Sequence, residues 1–156
     1  MRRGDEILLV RQGLPGEEPH WSLPGGLVEE GELVNEGLAR EVLEETGVTI
    51  VEPARLAFVL QVDNRRSEPL RAGRDERVGY LATILVLEVH GWRGVVAARD
   101  PEGVVSDADF VPLEDAIRRL RSVPWHAFTV RYLEGELVPG SIHLQRWHAD
   151  GRVETW

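Results

Sequence analysis

The chain contains neither cysteine nor lysine. Without cysteine there is no disulfide framework, no thiolate metal site and no cysteine nucleophile. All 18 basic residues are arginine, a bias that genomic composition can produce, so no mechanism is drawn from it. Long apolar runs are missing too: Tyr80 to Leu87 is among the longest, far short of the roughly 20 residues a membrane helix needs. Met1-Arg2-Arg3 is followed at once by Gly4-Asp5-Glu6, not by the apolar core of a signal peptide. The expectation is therefore a cytoplasmic protein without a membrane partner. Nor is there a basic tract. The formal charge is −9, which argues against stable, nonspecific nucleic acid binding, since that needs clustered cations. No internal repeat or linker is visible in the 156 residues, so a single domain over 1–156 is expected. Apolar content of 42% and charged content of 29% are those of a soluble globular chain.

What is present divides into short strands and a few helices. Ile7 to Arg11 reads as a buried strand and Trp21 to Leu23 as a short extended piece, with Pro24-Gly25-Gly26 a turn. Leu33 to Thr46 has helical periodicity: Val34, Leu38 and Val42 recur every four residues, and Ala39 and Leu43 widen the stripe. Gly47 stands where a helix C-cap belongs. Val48 to Val51 continues as extended chain, and Leu56 to Val62 reads as a strand. Asp63 to Gly79 is a polar stretch with five arginines (65, 66, 71, 74, 77), the length of a functional lid or a mobile surface loop. Tyr80 to His90 is a long strand, Pro112 to Leu120 a second helix, Trp125 to Leu133 a shorter third. A β-hairpin closes the chain at about 142–156, around Asp150-Gly151. Irregular alternation of strands and helices suggests an α/β domain with a mixed sheet between helical layers.

Charge is concentrated. Glu29 to Glu45 holds seven glutamates and one arginine, Arg40, and so carries −6 of the −9. On a helix advancing about 100° per residue, Glu44 and Glu45 lie about 60° and 40° to either side of Glu41. Three carboxylates thus share one arc, and Gly37, one turn earlier, leaves room for something to approach. Like charges so placed destabilise a helix unless water or a cation offsets them. Hard oxygen ligands in that number suit Mg²⁺ or Mn²⁺, which recruit phosphates to complete their shell.

The spacing from Gly26 to Val48, GLVEEGELVNEGLAREVLEETGV, resembles the Nudix box. Gly26, Glu32, Arg40, Glu41, Val42, Glu44, Glu45, Gly47 and Val48 meet the pattern without departure. A chance match is on the order of 10⁻⁷ at average residue frequencies. Trp21-Ser22-Leu23-Pro24-Gly25-Gly26 is similar to the usual lead-in, and Phe110-Val111-Pro112-Leu113 to the approach to the second helix. The resemblance implies a Nudix-type α/β/α sandwich with a mixed β-sheet and a loop–helix–loop catalytic motif. It implies that Glu41, Glu44 and Glu45 bind the essential divalent ions with help from the Gly25 carbonyl. One of them, or a later-loop carboxylate for which Glu102 is the choice, acts as base. Arg40 orients the glutamates, with Glu32 as its partner.

For substrate contact the candidates are Arg11, Trp21, Arg65 and Arg66. Trp21 offers a ring for base stacking, although Trp before Leu-Pro-Gly-Gly is also a packing position; His126, beside Trp125, reads as structural. The implied reaction is metal-dependent hydrolysis of a phosphoanhydride in a nucleoside diphosphate linked to another group. The reading leans towards nucleoside triphosphate giving monophosphate and pyrophosphate, with ADP-ribose or a nucleotide sugar as the alternative. A non-catalytic nucleotide-binding regulator of the same fold is the reading from a different class. Isoprenoid diphosphate isomerase chemistry is disfavoured by the missing cysteine, and cap removal by the missing basic tract. The chain enters almost directly at the Ile7 strand, so an edge there is expected to be covered by the C-terminal hairpin or by a partner subunit, a possible homodimer, because open edges invite pairing.

Overall fold

The computed structural model describes residues 1–14, 16, 18–67 and 78–156. They form two compact units, Met1–Arg55 with Glu88–Glu134, and Leu56–Leu87 with Gly135–Trp156. In chain order the strands are β1 (Arg2–Arg3), β2 (Glu6–Gln12), β3 (His20–Ser22), β4 (Thr49–Ile50), β5 (Arg55–Ser67), β6 (Val78–Glu88), β7 (Trp92–Arg93), β8 (Val105–Pro112), β9 (Ser141–Trp147) and β10 (Val153–Thr155). The helices are α1 (Val34–Thr46), α2 (Leu113–Arg121) and α3 (Ala127–Leu133), with a 3₁₀ turn at Pro124–His126. No helix among the described residues is long and apolar enough to cross a membrane.

The first unit is organised by β2. Ile7, Leu8, Leu9 and Val10 are all buried, because an unbroken apolar run suits a strand covered on both faces. Ile7 and Leu9 pack with Val111, Ala116, Leu120 and Val130, while Val10 packs with Val105 and Ala108. Burying one such side chain is worth about 1.5–3 kcal/mol. β8 pairs antiparallel along the whole of β2 on one side, and β1 and β3 occupy the start and end of the other. Both edges of β2 are thus paired with this unit's own strands, and the expectation that the C-terminal hairpin covers an edge there is overturned. The hairpin pairs elsewhere: β9 lies on β5.

α1 starts where the Glu36 carboxylate accepts the Leu33 N–H at 2.8 Å. It ends at Gly47, whose φ of 70° is the left-handed cap and whose N–H returns to the Leu43 carbonyl. Its buried residues are Gly37, Val42, Glu45 and Thr46, whereas Val34 and Leu43 are exposed. The buried side is therefore rotated from the expected apolar stripe towards a glutamate, because Glu45 has a partner in the preceding turn. α2 carries Glu114 and Asp115 in its first turn and three arginines in its last, each sign at the helix end that favours it.

The second unit is a mixed sheet in the order β10-β9-β5-β6. β5 and β9 run parallel, with Phe58 to Asn64 in register with Ser141 to Trp147, and β9 and β10 form the antiparallel hairpin. The polar stretch 63–79 is not a loop throughout. β5 runs on to Ser67 and β6 begins at Val78, because Asp63 accepts hydrogen bonds from Arg65 and, at 2.7 Å, from Arg146, which makes the charged residues compatible with a strand. Arg71, Arg74 and Arg77 lie outside the described residues.

Candidate active site

The box residues are assembled around one guanidinium. Arg40 donates through Nε and Nη2 to the two oxygens of Glu32, at 2.9 and 3.0 Å. Its Nη2 also reaches the Leu27 carbonyl at 3.0 Å, and its Nη1 donates to Glu41 at 2.9 Å and Glu44 at 3.4 Å. The planar fork explains why arginine stands here, since an ammonium cannot meet so many acceptors at fixed angles. Arg40 first, then the Glu29 N–H, hold the Glu32 carboxyl below the usual carboxylate range. The space left by Gly37 is filled by Glu32: a Cβ at Gly37 would come within 2.8 Å of its Oε2.

Glu41 and Glu45 reach the Gly25-Gly26 turn. Glu45 is only 8% exposed and accepts the Gly25 N–H at 2.8 Å. Burial pushes its carboxyl up to about 7; the Gly25 N–H opposes this, and the charges of Glu41, Asp100 and Glu44 add to it. It is the N–H of Gly25, rather than the carbonyl, that is engaged here. The Glu41 carboxylate lies against Gly26, where a Cβ would land on its oxygens. Gly26→Ala is therefore expected to leave the melting temperature nearly unchanged while displacing Glu41 and lowering turnover by about 10–100-fold, the range for disturbing the orientation of a ligand group. A thermal melt with a turnover assay on the same preparation checks this; unchanged turnover would show that Glu41's place does not matter.

Among the described residues no three His, Asp or Glu side chains stand in a ligand arrangement, because Arg40 draws Glu41 and Glu44 while Gly25 holds Glu45. The donor set nonetheless fits a hard divalent cation: these are carboxylate oxygens, and Glu45, raised chiefly by its burial, also feels the charges of Glu41, Asp100 and Glu44.

A later loop bears on the same place. Ala97 donates its N–H to the Thr46 carbonyl at 3.0 Å, and Arg99 lies against Gly47, so the loop docks on the C-terminal end of α1. On this loop the charge of Asp100, a residue not singled out from the sequence, acts on Glu45. Asp100 accepts the N–H groups of Glu102, Val104 and Val105 at 2.9, 2.6 and 2.8 Å, while Glu102 sits on the exposed turn. The Asp-Pro-Glu-Gly sequence was a readable signal, since aspartate commonly closes such turns by accepting backbone N–H groups.

A family model described as the NUDIX domain matches residues 1–133. The chain belongs to the NUDIX family. Relatives of this NUDIX chain include a putative 8-oxo-dGTP diphosphatase 2 of Mycobacterium tuberculosis, 30% identical over 120 residues, 72% of this chain and 76% of the relative. A putative 8-oxo-dGTP diphosphatase of Bacillus subtilis is 39% identical over 56 residues, only 36% of each chain. Among solved structures, the MutT protein of Bacillus halodurans superposes with a TM-score of 0.68 over 98% of this chain and 90% of that one, at 17% identity. That likeness concerns the fold. A MutT NUDIX hydrolase from Burkholderia pseudomallei shares 26% identity, with a TM-score of 0.54 over 73% and 78% of the two chains. The NUDIX chain has the family's α/β fold and is a hydrolase acting on acid anhydrides.

The other candidates are dispersed. Arg11 is exposed on β2, opposite Trp21 on β3. The Trp21 ring packs against the core of the NUDIX chain's first unit, with the Arg119 guanidinium 4.3 Å from its centroid, an arrangement that fits packing. Arg65 and Arg66 belong to the second unit, where Arg65 pairs with Asp63. Arg66 lies 4.7 Å from the Trp147 centroid and donates to the Gly151 carbonyl. His126 is buried with its Nε2 3.1 Å from Ser22 Oγ, in keeping with the structural reading.

Proposed function

We propose that this chain is a divalent-metal-dependent pyrophosphohydrolase that converts a nucleoside triphosphate to the monophosphate and pyrophosphate. One observation carries the proposal. Glu41 and Glu44 share the Arg40 guanidinium with Glu32, and Glu45 is held beside them by the Gly25 N–H at 2.8 Å, so carboxylates outnumber the one arginine where a cation and a polyphosphate would meet. Glu41, Glu44 and Glu45, with the Gly25 carbonyl, are the groups that would hold Mg²⁺ or Mn²⁺. Such an ion, when bound, neutralises phosphate oxygens and lowers the pKa of water. The protein's own part is positional: Arg40 fixes Glu41 and Glu44, and the Gly25 N–H fixes Glu45. A box carboxylate, or one on a later loop, takes the proton of the attacking water. Water adds to phosphorus as the bridging P–O bond breaks and the leaving phosphate oxygen departs. We place this activity in the cytoplasm.

The relatives named as 8-oxo-dGTP diphosphatases make an oxidised purine nucleoside triphosphate the first substrate to try. The test is a panel of oxidised and ordinary nucleoside triphosphates, ADP-ribose, nucleotide sugars and dinucleoside polyphosphates, each with Mg²⁺, Mn²⁺ or chelator. A triphosphate should give the highest kcat/KM, only with metal, and release pyrophosphate. Preference for ADP-ribose or a nucleotide sugar would overturn the triphosphate assignment. Equal, near-zero rates for wild type and Glu44→Gln throughout would overturn the enzymatic one in favour of a binding module.

A further inference from the structure

β3 is three residues long, and its two faces meet different neighbours. Successive strand side chains point to opposite sides. Trp21, with Leu23 just beyond the strand, packs against the core of the first unit. His20 and Ser22 turn the other way, towards the 3₁₀ turn, where the His20 ring stands 5.2 Å from that of Trp125. Ser22 is 6% exposed and His126 is 7% exposed, and the 3.1 Å bond between Ser22 Oγ and His126 Nε2 joins residues 104 positions apart. His126 is itself held: its N–H returns to the Val123 carbonyl at 3.0 Å, and Val123 and Phe128 on either side are buried. The ladder to β2 ends at the Val10–Ser22 pair. Past it, Pro24, Gly25 and Gly26 make no backbone-to-backbone hydrogen bond among the described residues. Side chains meet that turn instead: Glu45 takes the Gly25 N–H, and the Glu41 carboxylate lies against Gly26.

We infer that His126 is a positioning residue for the glutamates of the box, acting through Ser22 on the Pro24-Gly25-Gly26 turn. The inference rests on the reading that this turn and these glutamates hold the metal. Two glycines in a turn without ladder bonds leave the backbone many conformations, so the place of the Gly25 N–H depends on how the chain enters the turn. Leu23 fixes the depth of that entry by apolar contact, which has no preferred direction. The Ser22–His126 bond adds the direction: it sets the rotation of the chain three residues before Gly25. A buried hydroxyl is costly to leave without a partner, so Ser22 stays with the imidazole. Burial, and secondarily His20, lowers that ring to about 4, so it is neutral at working pH. One neutral donor therefore meets one neutral acceptor, a pairing that a glutamine amide can reproduce.

Amide hydrogen exchange of the metal-free full chain separates this role from a merely structural one. Ser22→Ala and His126→Phe should each lower the protection of the Gly25 N–H several-fold, while that of the Leu33 N–H, held by Glu36 in the same segment, stays as in wild type. Both variants should need about 10-fold more Mn²⁺ for half-saturation, read without substrate from the resonance of the free ion, the lower end of the range for a group that orients ligands from outside. His126→Gln should restore both readouts. A bond that only stabilises the fold would lower the protection of buried Leu9, which reports global opening, and leave Gly25 and Mn²⁺ uptake unchanged; that result overturns the inference. So does equal loss in His126→Phe and His126→Gln with Ser22→Ala unaffected, because the ring's volume and not its bond would then matter. A wild type that takes up no Mn²⁺ overturns the metal reading instead, and the Gly25 exchange still decides the role of His126.

Discussion

Glu45→Gln is expected to lower turnover by about 10²–10³-fold, the scale of losing one preorganised charged group at a reacting phosphate, while making the metal-free fold more stable. The two effects share a cause. Glutamine keeps the shape and can still accept the Gly25 N–H, so the turn and α1 stay joined. What it removes is a charge held in a buried place among Glu41, Asp100 and Glu44. The Glu45 carboxyl is raised in the fold from an ordinary value of 4.5 to about 7. Below pH 4.5 it is neutral in folded and unfolded chains alike and costs nothing. As pH rises from 4.5 to 7 the unfolded chain releases its proton first, and the fold loses stability, reaching a penalty of about 3 kcal/mol. At pH 7.5 with chelator, urea unfolding should show Glu45→Gln more stable by up to that amount. Added Mn²⁺ should raise the melting temperature of wild type far more than that of the variant. A variant that keeps a tenth or more of wild-type turnover would show that Glu45 is not essential to the chemistry.

The second large effect has the opposite sign. Burial, and secondarily the neighbouring His20, lowers the His126 imidazole to about 4 from an ordinary 6.5. Above pH 6.5 the ring is neutral in both states and its contribution is fully present. As pH falls towards 4 the unfolded chain takes up the proton and the fold does not, so stability is lost, again by about 3 kcal/mol. Between pH 4.5 and 6.5 the slopes from Glu45 and His126 therefore oppose each other, and wild type should show an unusually flat profile. Glu45→Gln should uncover the histidine's acid-side loss, and adding His126→Gln should flatten it again. Comparing these two variants cancels other carboxylates such as Asp63 and Glu154. Parallel profiles in the single and double variants would mean that His126 titrates alike in both states.

The box was legible because its function depends on residue identity at fixed spacing. Gly26, Glu32, Arg40 and the three glutamates stand where one local segment places them, and Gly47 caps the helix that carries them. What was hidden depends on partners distant in sequence. The burial of Glu45, against the exposure of Val34 and Leu43, is decided by the Gly25 turn and not by the helix's own apolar periodicity. β8 alternates only from Asp107 to Phe110, too short a run to stand alone, and is a strand because β2 lies alongside it. The extension of β5 past Val62 depends on the β9 ladder as far as Asn64, on Arg146 at Asp63, and on the Gly151 carbonyl and the Trp147 ring at Arg66. That Asp100 folds inward to accept three backbone N–H groups is not shown by side-chain type alone.

The loop and helix of the box are tied by bonds between residues 8 and 20 apart, Arg40 to Glu32 and Gly25 to Glu45. The strand pairing behind them joins Leu8 to Phe110, about a hundred positions along the chain. Closing the longer loop costs roughly 1.4 kcal/mol more in chain entropy than closing the 20-residue one. Contacts of short separation also form sooner than distant pairings. The carboxylates can therefore be gathered as a local knot before the sheet beneath them is complete, and late-forming strands inherit a chemistry already in place.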